Sequence, residues 1–465
     1  VTVTQLPLRA PWPRAHDDSS GRQAERRAAD HAHARSLPVV PVRARGLTVE
    51  GADGRRYLDC HSDTSVLGHN HPVVLEAIRA VLDSGAPLSA PEPATPLRDA
   101  FTGELFATLP GPLADSTRVR FCEPSAEGAA RAVRALVRAA TGRTELLALS
   151  GQVSAAAFSD RPADVLCGLS PDSASGLSPD SVCGDQVWTD PVSERTSIDV
   201  SSGRSADAFF VRLASGAKPP AGVTVAAVTG DGDVRVMPKS LLRRVRDLTA
   251  ARAIPLVVDE TATGVGRTGA FWAVEHSGIV PDVMVLGHTI GGGLPLAAVV
   301  HPAGLDADRP VDDFRFQGNQ LAMAAGAATL RYVRENGLAL RAAALGAHML
   351  RRLRGLAQEH ACLGDVRGLG LMTGIACAPG TAAAVRSACL RRGLIVGPVG
   401  RGSSAVCLMP PLTITDEQLE AVLDRLSDAV AAVARTRPAA TRPDHAEGGR
   451  HRVPGLTPGT SPHTV

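Results

Sequence analysis

The chain has 465 residues, a formal net charge of +2 and only 3% aromatic residues. That length buries a large core, expected as two lobes of one folded unit built on Ala, Val and Leu. The near-balanced charge, with arginines interspersed among Asp and Glu, argues against a nucleic-acid or anionic-membrane partner. No apolar run approaches transmembrane length.

Residues 1–35, rich in Arg, Ala, Asp and Pro without an apolar period, are expected to form a disordered arm. Residues 38–60 alternate as short strands do, with Asp53-Gly54 as a hairpin turn. Helical spacing marks 72–84 and 97–109. Residues 124–141 predict a strongly amphipathic helix with Ala130, Val133, Leu136 and Val137 on its apolar face. A helix over 239–252 leads to a buried strand at 255–259. A further strand at 282–287 passes through Gly291-Gly292-Gly293 to a third at 295–300. This alternation implies a mostly parallel sheet with helices on both faces. Helices at 319–336 and 338–360, then mixed short elements to about residue 435, complete a smaller lobe. The tail 437–465 is expected to be disordered, with His445, His451 and His463 solvated in it and no metal bound.

Eight cysteines are scattered without a Cys-x-x-Cys pair. With no signal peptide evident, they read as reduced, mostly buried thiols of a cytoplasmic protein. Residues 167–184 carry Gly-Leu-Ser-Pro-Asp-Ser twice, between Cys167 and Cys183, and read as an exposed low-complexity loop. A Cys167–Cys183 bridge would close it, but a reducing compartment argues against one.

The most informative stretch is Pro-Leu-Val-Val-Asp-Glu-Thr-Ala-Thr-Gly-Val-Gly-Arg-Thr-Gly at 255–269, followed by Val-Met-Val-Leu-Gly-His-Thr-Ile-Gly-Gly-Gly-Leu-Pro-Leu at 283–296. With Phe316-Gln317-Gly318-Asn319-Gln320-Leu321-Ala322, Gly364–Met372 and Pro410-Pro411-Leu412-Thr413-Ile414-Thr415, it resembles the class III pyridoxal-phosphate-dependent aminotransferases. The resemblance covers residues 36–435 and is greatest to the diaminobutyrate–2-oxoglutarate type. It implies a fold-type I α/β architecture. An N-terminal segment (36–72) would pack with the small domain. A large domain (73–315) would hold the mostly parallel central sheet, and a smaller α+β domain (316–436) would follow. It also implies a homodimer acting on a small amino acid or oxo acid.

The resemblance assigns site residues one by one. Asp259 matches the carboxylate that keeps the pyridine nitrogen of the cofactor protonated; the other reading is an Asp that caps the next turn. Ser125 and Ala126 stand at the phosphate-binding helix start, where Glu127 adds a negative charge that is also an ordinary first-turn choice. Val153-Ser154-Ala155 replaces the family's ring-stacking Tyr-His-Gly. Ala262 replaces a Gln at the ring hydroxyl. Arg315 replaces a Thr that reaches the phosphate from the neighbouring subunit, and Ala226 replaces a Glu near the substrate. The loop near residue 63 aligns as shorter by about two residues. Arg367 matches the arginine that takes a substrate α-carboxylate; a structural ion pair is the equal alternative.

The decisive change is at His288, which stands where the family has its Schiff-base lysine. The sequence holds two lysines, Lys218 and Lys239, neither in this motif. An imidazole cannot form the internal aldimine. Three readings follow: a transamination-incompetent homologue, a lysine-free enzyme using His288 as general base, or a non-catalytic scaffold pairing with an active paralogue. Binding of pyridoxal phosphate is implied by family and put in question by these residues.

Overall fold

The computed structural model describes residues 39–61, 65–88, 95–114, 117–150, 187–190, 195–199, 209–210, 212–214, 218–229, 234–305, 318–397 and 404–436. The N-terminal arm, the C-terminal tail with its histidines, the 167–184 insert, Val153–Ala155 and Arg315 lie outside them.

The chain opens with a meander, β1 (Pro41–Arg45), β2 (Thr48–Gly51) and β3 (Arg56–Asp59). Strands β2 and β3 pair antiparallel around the expected turn, where Gly54 takes φ +75°. Helix α1 (Pro72–Ser84) starts on Pro72, whose missing N–H costs nothing at that position. Helix α2 (Pro96–Phe106) ends three residues earlier than the pattern predicts. Pro110 disfavours helical backbone at Leu109 and offers no N–H, and a one-turn helix α3 (Gly111–Ala114) restarts after it.

Strand β4 (Thr117–Cys122) feeds helix α4 (Ala126–Thr141). The Ser125 Oγ caps α4 by accepting from the Gly128 N–H at 3.0 Å, and Gly142 closes it in the left-handed conformation. Next come β5 (Leu146–Ser150), β6 (Val187–Asp190), β7 (Arg195–Asp199), β8 (Gly222–Val225) and the small pair β9 (Val228–Thr229) and β10 (Arg235–Val236). Helix α5 (Lys239–Ala251) precedes β11 (Leu256–Glu260), β12 (Val283–Leu286) and β13 (Ala297–Pro302).

The central sheet has eight strands in the order β4-β13-β12-β11-β8-β5-β7-β6. Only β13 and β6 run against the others, because each pairs antiparallel with its neighbours. The sheet is therefore mostly parallel, as the alternating pattern predicts. Its two faces feed separate cores. Val257, Val283, Val285, Ala297 and Val299 meet Ala129, Ala132, Val133, Leu136 and Val137 of α4 on one face. Leu256, Val258, Met284, Leu286, Ala298 and Val300 enter the larger core on the other. This is the period of two expected of strands covered on both sides.

The C-terminal part comprises α6 (Gln320–Glu335), α7 (Leu338–Glu359), β14 (Leu363–Leu369), β15 (Met372–Cys377), α8 (Ala382–Arg391), β16 (Leu394–Ile395), β17 (Ala405–Leu408) and α9 (Asp416–Thr436). Strands β14, β15 and β17 form an antiparallel sheet, while β16 joins β3 in parallel. The six described cysteines are free, and five are buried. Burial pushes the Cys122, Cys377 and Cys389 thiols up to about 12, which leaves them protonated and unreactive. No helix among the described residues is long and apolar enough to cross a membrane.

Candidate functional site

Strands β11 and β12 are parallel neighbours, with Asp259 opposite Val285 and Glu260 opposite Leu286. Asp259 is thus the last residue but one of its strand, and His288 follows the end of the next by two residues. Strand β4 runs in the same direction, so Ser125 and Ala126 at the start of α4 stand at that same edge. The carboxyl-terminal edge of a parallel sheet is where α/β folds place ligands, because loops and helix N-termini converge there.

Asp259 is buried, and its Oδ1 accepts two hydrogen bonds from Thr261, from the backbone N–H at 2.9 Å and from the hydroxyl at 2.6 Å. The turn-capping reading of Asp259 describes these bonds. Gly287 brings the β12 end against this group: a Cβ there would sit 3.0 Å from Thr261 Cβ. His288 then opens a 3₁₀ turn to Gly291 and is half-buried. Among the described residues no hydrogen bond fixes its ring.

Helix α6 fixes this turn from behind. A Cβ on Gly326 would lie 2.2 Å from the Ile290 carbonyl oxygen, and one on Gly292 would lie 2.7 Å from the Ala325 carbonyl oxygen. Gly292 also holds φ +63°, so space and backbone both require glycine. A Cβ on Gly293 would meet the Ser65 hydroxyl at 2.8 Å, so the N-terminal segment reaches the same turn.

The α4 start is acidic. Glu123 accepts from Arg131 at 2.6 Å and from the Ser125 hydroxyl at 3.3 Å, and Glu127 lies 3.7 Å from the same guanidinium. The Ser125 Oγ is already engaged with Gly128 N–H. Arg367 is on β14, where its Nε donates to Asp365 Oδ2 at 2.5 Å. Asp365 is largely exposed, so this pair adds little stability. Both lysines, Lys218 and Lys239, are exposed to solvent.

Glu260 is the residue that sequence reasoning left without a role. It is fully buried. Its Oε1 accepts from Val274 N–H at 2.7 Å; its Oε2 accepts from Ala273 N–H at 3.0 Å and from the Thr263 hydroxyl. Burial pushes its carboxyl up to about 7, against the pull of those donors, with the Asp259 charge adding to the rise. The signal was the strand's alternation: Leu256, Val258 and Glu260 share the face that enters the larger core.

A cavity of about 520 Å³ lies at the opposite edge, lined by Thr117, Arg243, Arg246, Asp282 and Pro302 among others. Thr117, Asp282 and Pro302 mark the starts of β4 and β12 and the end of reversed β13, so the cavity belongs to the other end of the sheet. It shares no residue with the strand-end group.

Comparison with known proteins gives the family. The Aminotransferase class-III model matches residues 29–430. The diaminobutyrate–2-oxoglutarate aminotransferase of Rhizobium meliloti (strain 1021) is 36% identical over 436 residues, covering 88% of this chain and 91% of that protein. The Haemophilus influenzae protein of the same name is 34% identical, covering 85% and 91%. The crystal structure of acetylornithine aminotransferase from Elizabethkingia anophelis superposes with a TM-score of 0.72 at 23% identity, covering 89% of this chain and 99% of that one. At that identity the likeness establishes the fold.

The family works with pyridoxal phosphate. Asp259 suits the pyridine end of that cofactor. The other two ends fit poorly: the imidazole of His288 cannot hold a carbonyl carbon as an imine, and at the helix start where the resemblance puts the phosphate two carboxylates, Glu123 and Glu127, share the single guanidinium of Arg131. The residues present therefore do not match a covalently anchored, phosphate-clamped cofactor. The fold, the strand-end arrangement and the relatives nevertheless agree, and the chain belongs to the class III aminotransferase family.

Proposed function

We propose that this chain is a transamination-incompetent member of its family, resembling diaminobutyrate–2-oxoglutarate transaminase in fold and ancestry without its lysine-bound cycle. The observation that carries this is the imidazole at the end of β12, with both ε-amines of the chain on the surface. Transamination by this family's route needs an amine that holds the cofactor and then moves protons. The acidic start of α4 supports the same reading.

In this proposal the large (73–315) and small (316–436) domains persist as a folded, cytoplasmic homodimer or as a scaffold paired with an active paralogue. Asp259, Ser125, Ala126, Arg315 and Arg367 are then remnants of a site for an amino or oxo acid. A second reading rests on the ring of His288, which makes no hydrogen bond among the described residues and so offers an imidazole nitrogen for general-base work on a cofactor–substrate adduct.

The test is to incubate the purified protein with pyridoxal phosphate, reduce with borohydride and map adducts by mass spectrometry, while following the melting temperature. No adduct within the strand-end cleft and no melting shift are expected, since a ligand that binds the folded state must raise the melting temperature. A shift with pyridoxamine phosphate that vanishes in His288→Ala would favour the general-base reading. A reduced lysine adduct with turnover of an amino acid would overturn both.

A further inference from the structure

We infer that Glu260 is the positioning residue of the strand-end site, a buried clasp whose protonation state sets how tightly the segment from Thr261 to Val274 is held.

The segment leaves β11 at Thr261 and returns at Trp272. Glu260 closes it with the bonds from Thr263, Ala273 and Val274 described above. Trp272 locks the return: its backbone N–H donates to Glu275 Oε1 at 2.8 Å and its indole N–H to the Thr108 carbonyl at 3.0 Å. Between these ends the backbone is strained, because the β-branched Val265 sits at φ +61°. Such a conformation persists only where its surroundings impose it.

The segment carries two outputs. At its start Thr261 holds the Asp259 carboxylate. At its middle the buried Arg267 donates to the Met409 and Pro410 carbonyls at 3.4 Å, and its own carbonyl accepts from Leu371 N–H at 2.9 Å. One carboxylate thus fixes both the floor of the site and its tie to the C-terminal strands.

Three donors aimed at Glu260 favour the charged form, whereas burial favours the neutral one. Burial outweighs the donors, so the closed segment holds the proton more tightly than an opened one, in which water reaches the carboxylate. The ionisable neighbours are accounted for. Asp259 is the like charge beside it; Glu275 is bonded to Trp272, His276 to Thr268, and Arg267 to the two carbonyls. Nothing in this clasp depends on a cofactor entering the cleft, so its failure and the failure of the proposed function are separable.

The test is hydrogen exchange of the full chain across pH, read at the Ala273 and Val274 amides and corrected for intrinsic exchange chemistry. Wild type is expected to lose protection roughly tenfold as the clasp gives up its proton, in a step near neutral pH. In Glu260→Gln, whose uncharged side chain resembles the protonated clasp, the step disappears. Thr263→Val, which removes a donor to the charged form, moves the midpoint up. Asp259→Asn, which removes the like charge, moves it down, and these two variants carry the test should the glutamine variant fail to fold. A flat corrected profile in wild type, a step that survives in Glu260→Gln, or midpoints that ignore both other variants would overturn the assignment.

Discussion

Thr261 gives both its backbone N–H and its hydroxyl to one oxygen of Asp259, at 2.9 and 2.6 Å. The carboxylate is therefore oriented by its own strand end before any ligand arrives. Replacing Thr261 with Val keeps the shape and the backbone bond but removes the hydroxyl. A hydrogen bond to a charged group is worth about 1.5–3 kcal/mol. Chemical denaturation should show a loss in that range, and an unchanged midpoint would mean that the hydroxyl contributes nothing.

The pH dependence of stability should carry the signature of Glu260. Its folded-state pKa, pushed up to about 7 by burial, lies above the ordinary 4.5. A raised pKa means that the folded state holds the proton more tightly. The stabilising contribution is complete below about pH 4.5 and is lost as pH rises to about 7. The full span corresponds to about 3 kcal/mol. Urea titrations of wild type and Glu260→Gln between pH 5 and 8 should diverge most at the acid end, relative to their difference at pH 8. Parallel curves would remove Glu260 as a titrating group.

Two glycines of α7 make opposite predictions. A Cβ on Gly346 would fall 2.1 Å from the Gly370 carbonyl oxygen, where backbone meets backbone. Gly346→Ala should destabilise by about 1–3 kcal/mol or more. Gly355 has nothing within 4 Å of an added Cβ. Gly355→Ala should stabilise by up to about 1 kcal/mol through helix propensity alone. Thermal melting of the two variants settles both signs at once.

Restoring an amine should restore only part of the chemistry. His288→Lys places a primary amine at the end of β12, and added pyridoxal phosphate should then leave a borohydride-reducible adduct at residue 288. The acidic pair at the α4 start should keep that binding weak until Glu127 is also neutralised, for example as Glu127→Thr. Equal affinity in the single and double variants would show that Glu127 does not face the phosphate.

Much of the fold was legible because periodicity reports burial directly. The apolar run at 255–259 marked a buried strand, and the helical spacing of 124–141 named the face that packs. The limits of α2 were less legible, because a proline four residues beyond the helix decided where it stopped. At the site, the resemblance put Asp259 and His288 on a strand pair, and β11 and β12 are parallel neighbours. Glu260 was invisible as a functional residue. The alternation puts its carboxylate on the core-facing side with Leu256 and Val258, but only the fold brings the Ala273 and Val274 donors back to it.

Lys218 and Lys239 both face solvent, and the chain has no other lysine. Acylation or cross-linking directed at ε-amines therefore attaches to the outer shell of this protein and spares the strand-end group. In an ordinary relative the same reagents compete with the cofactor for its anchor. Here they become a neutral handle, suited to tethering the intact protein while ligands are screened against an unmodified cleft.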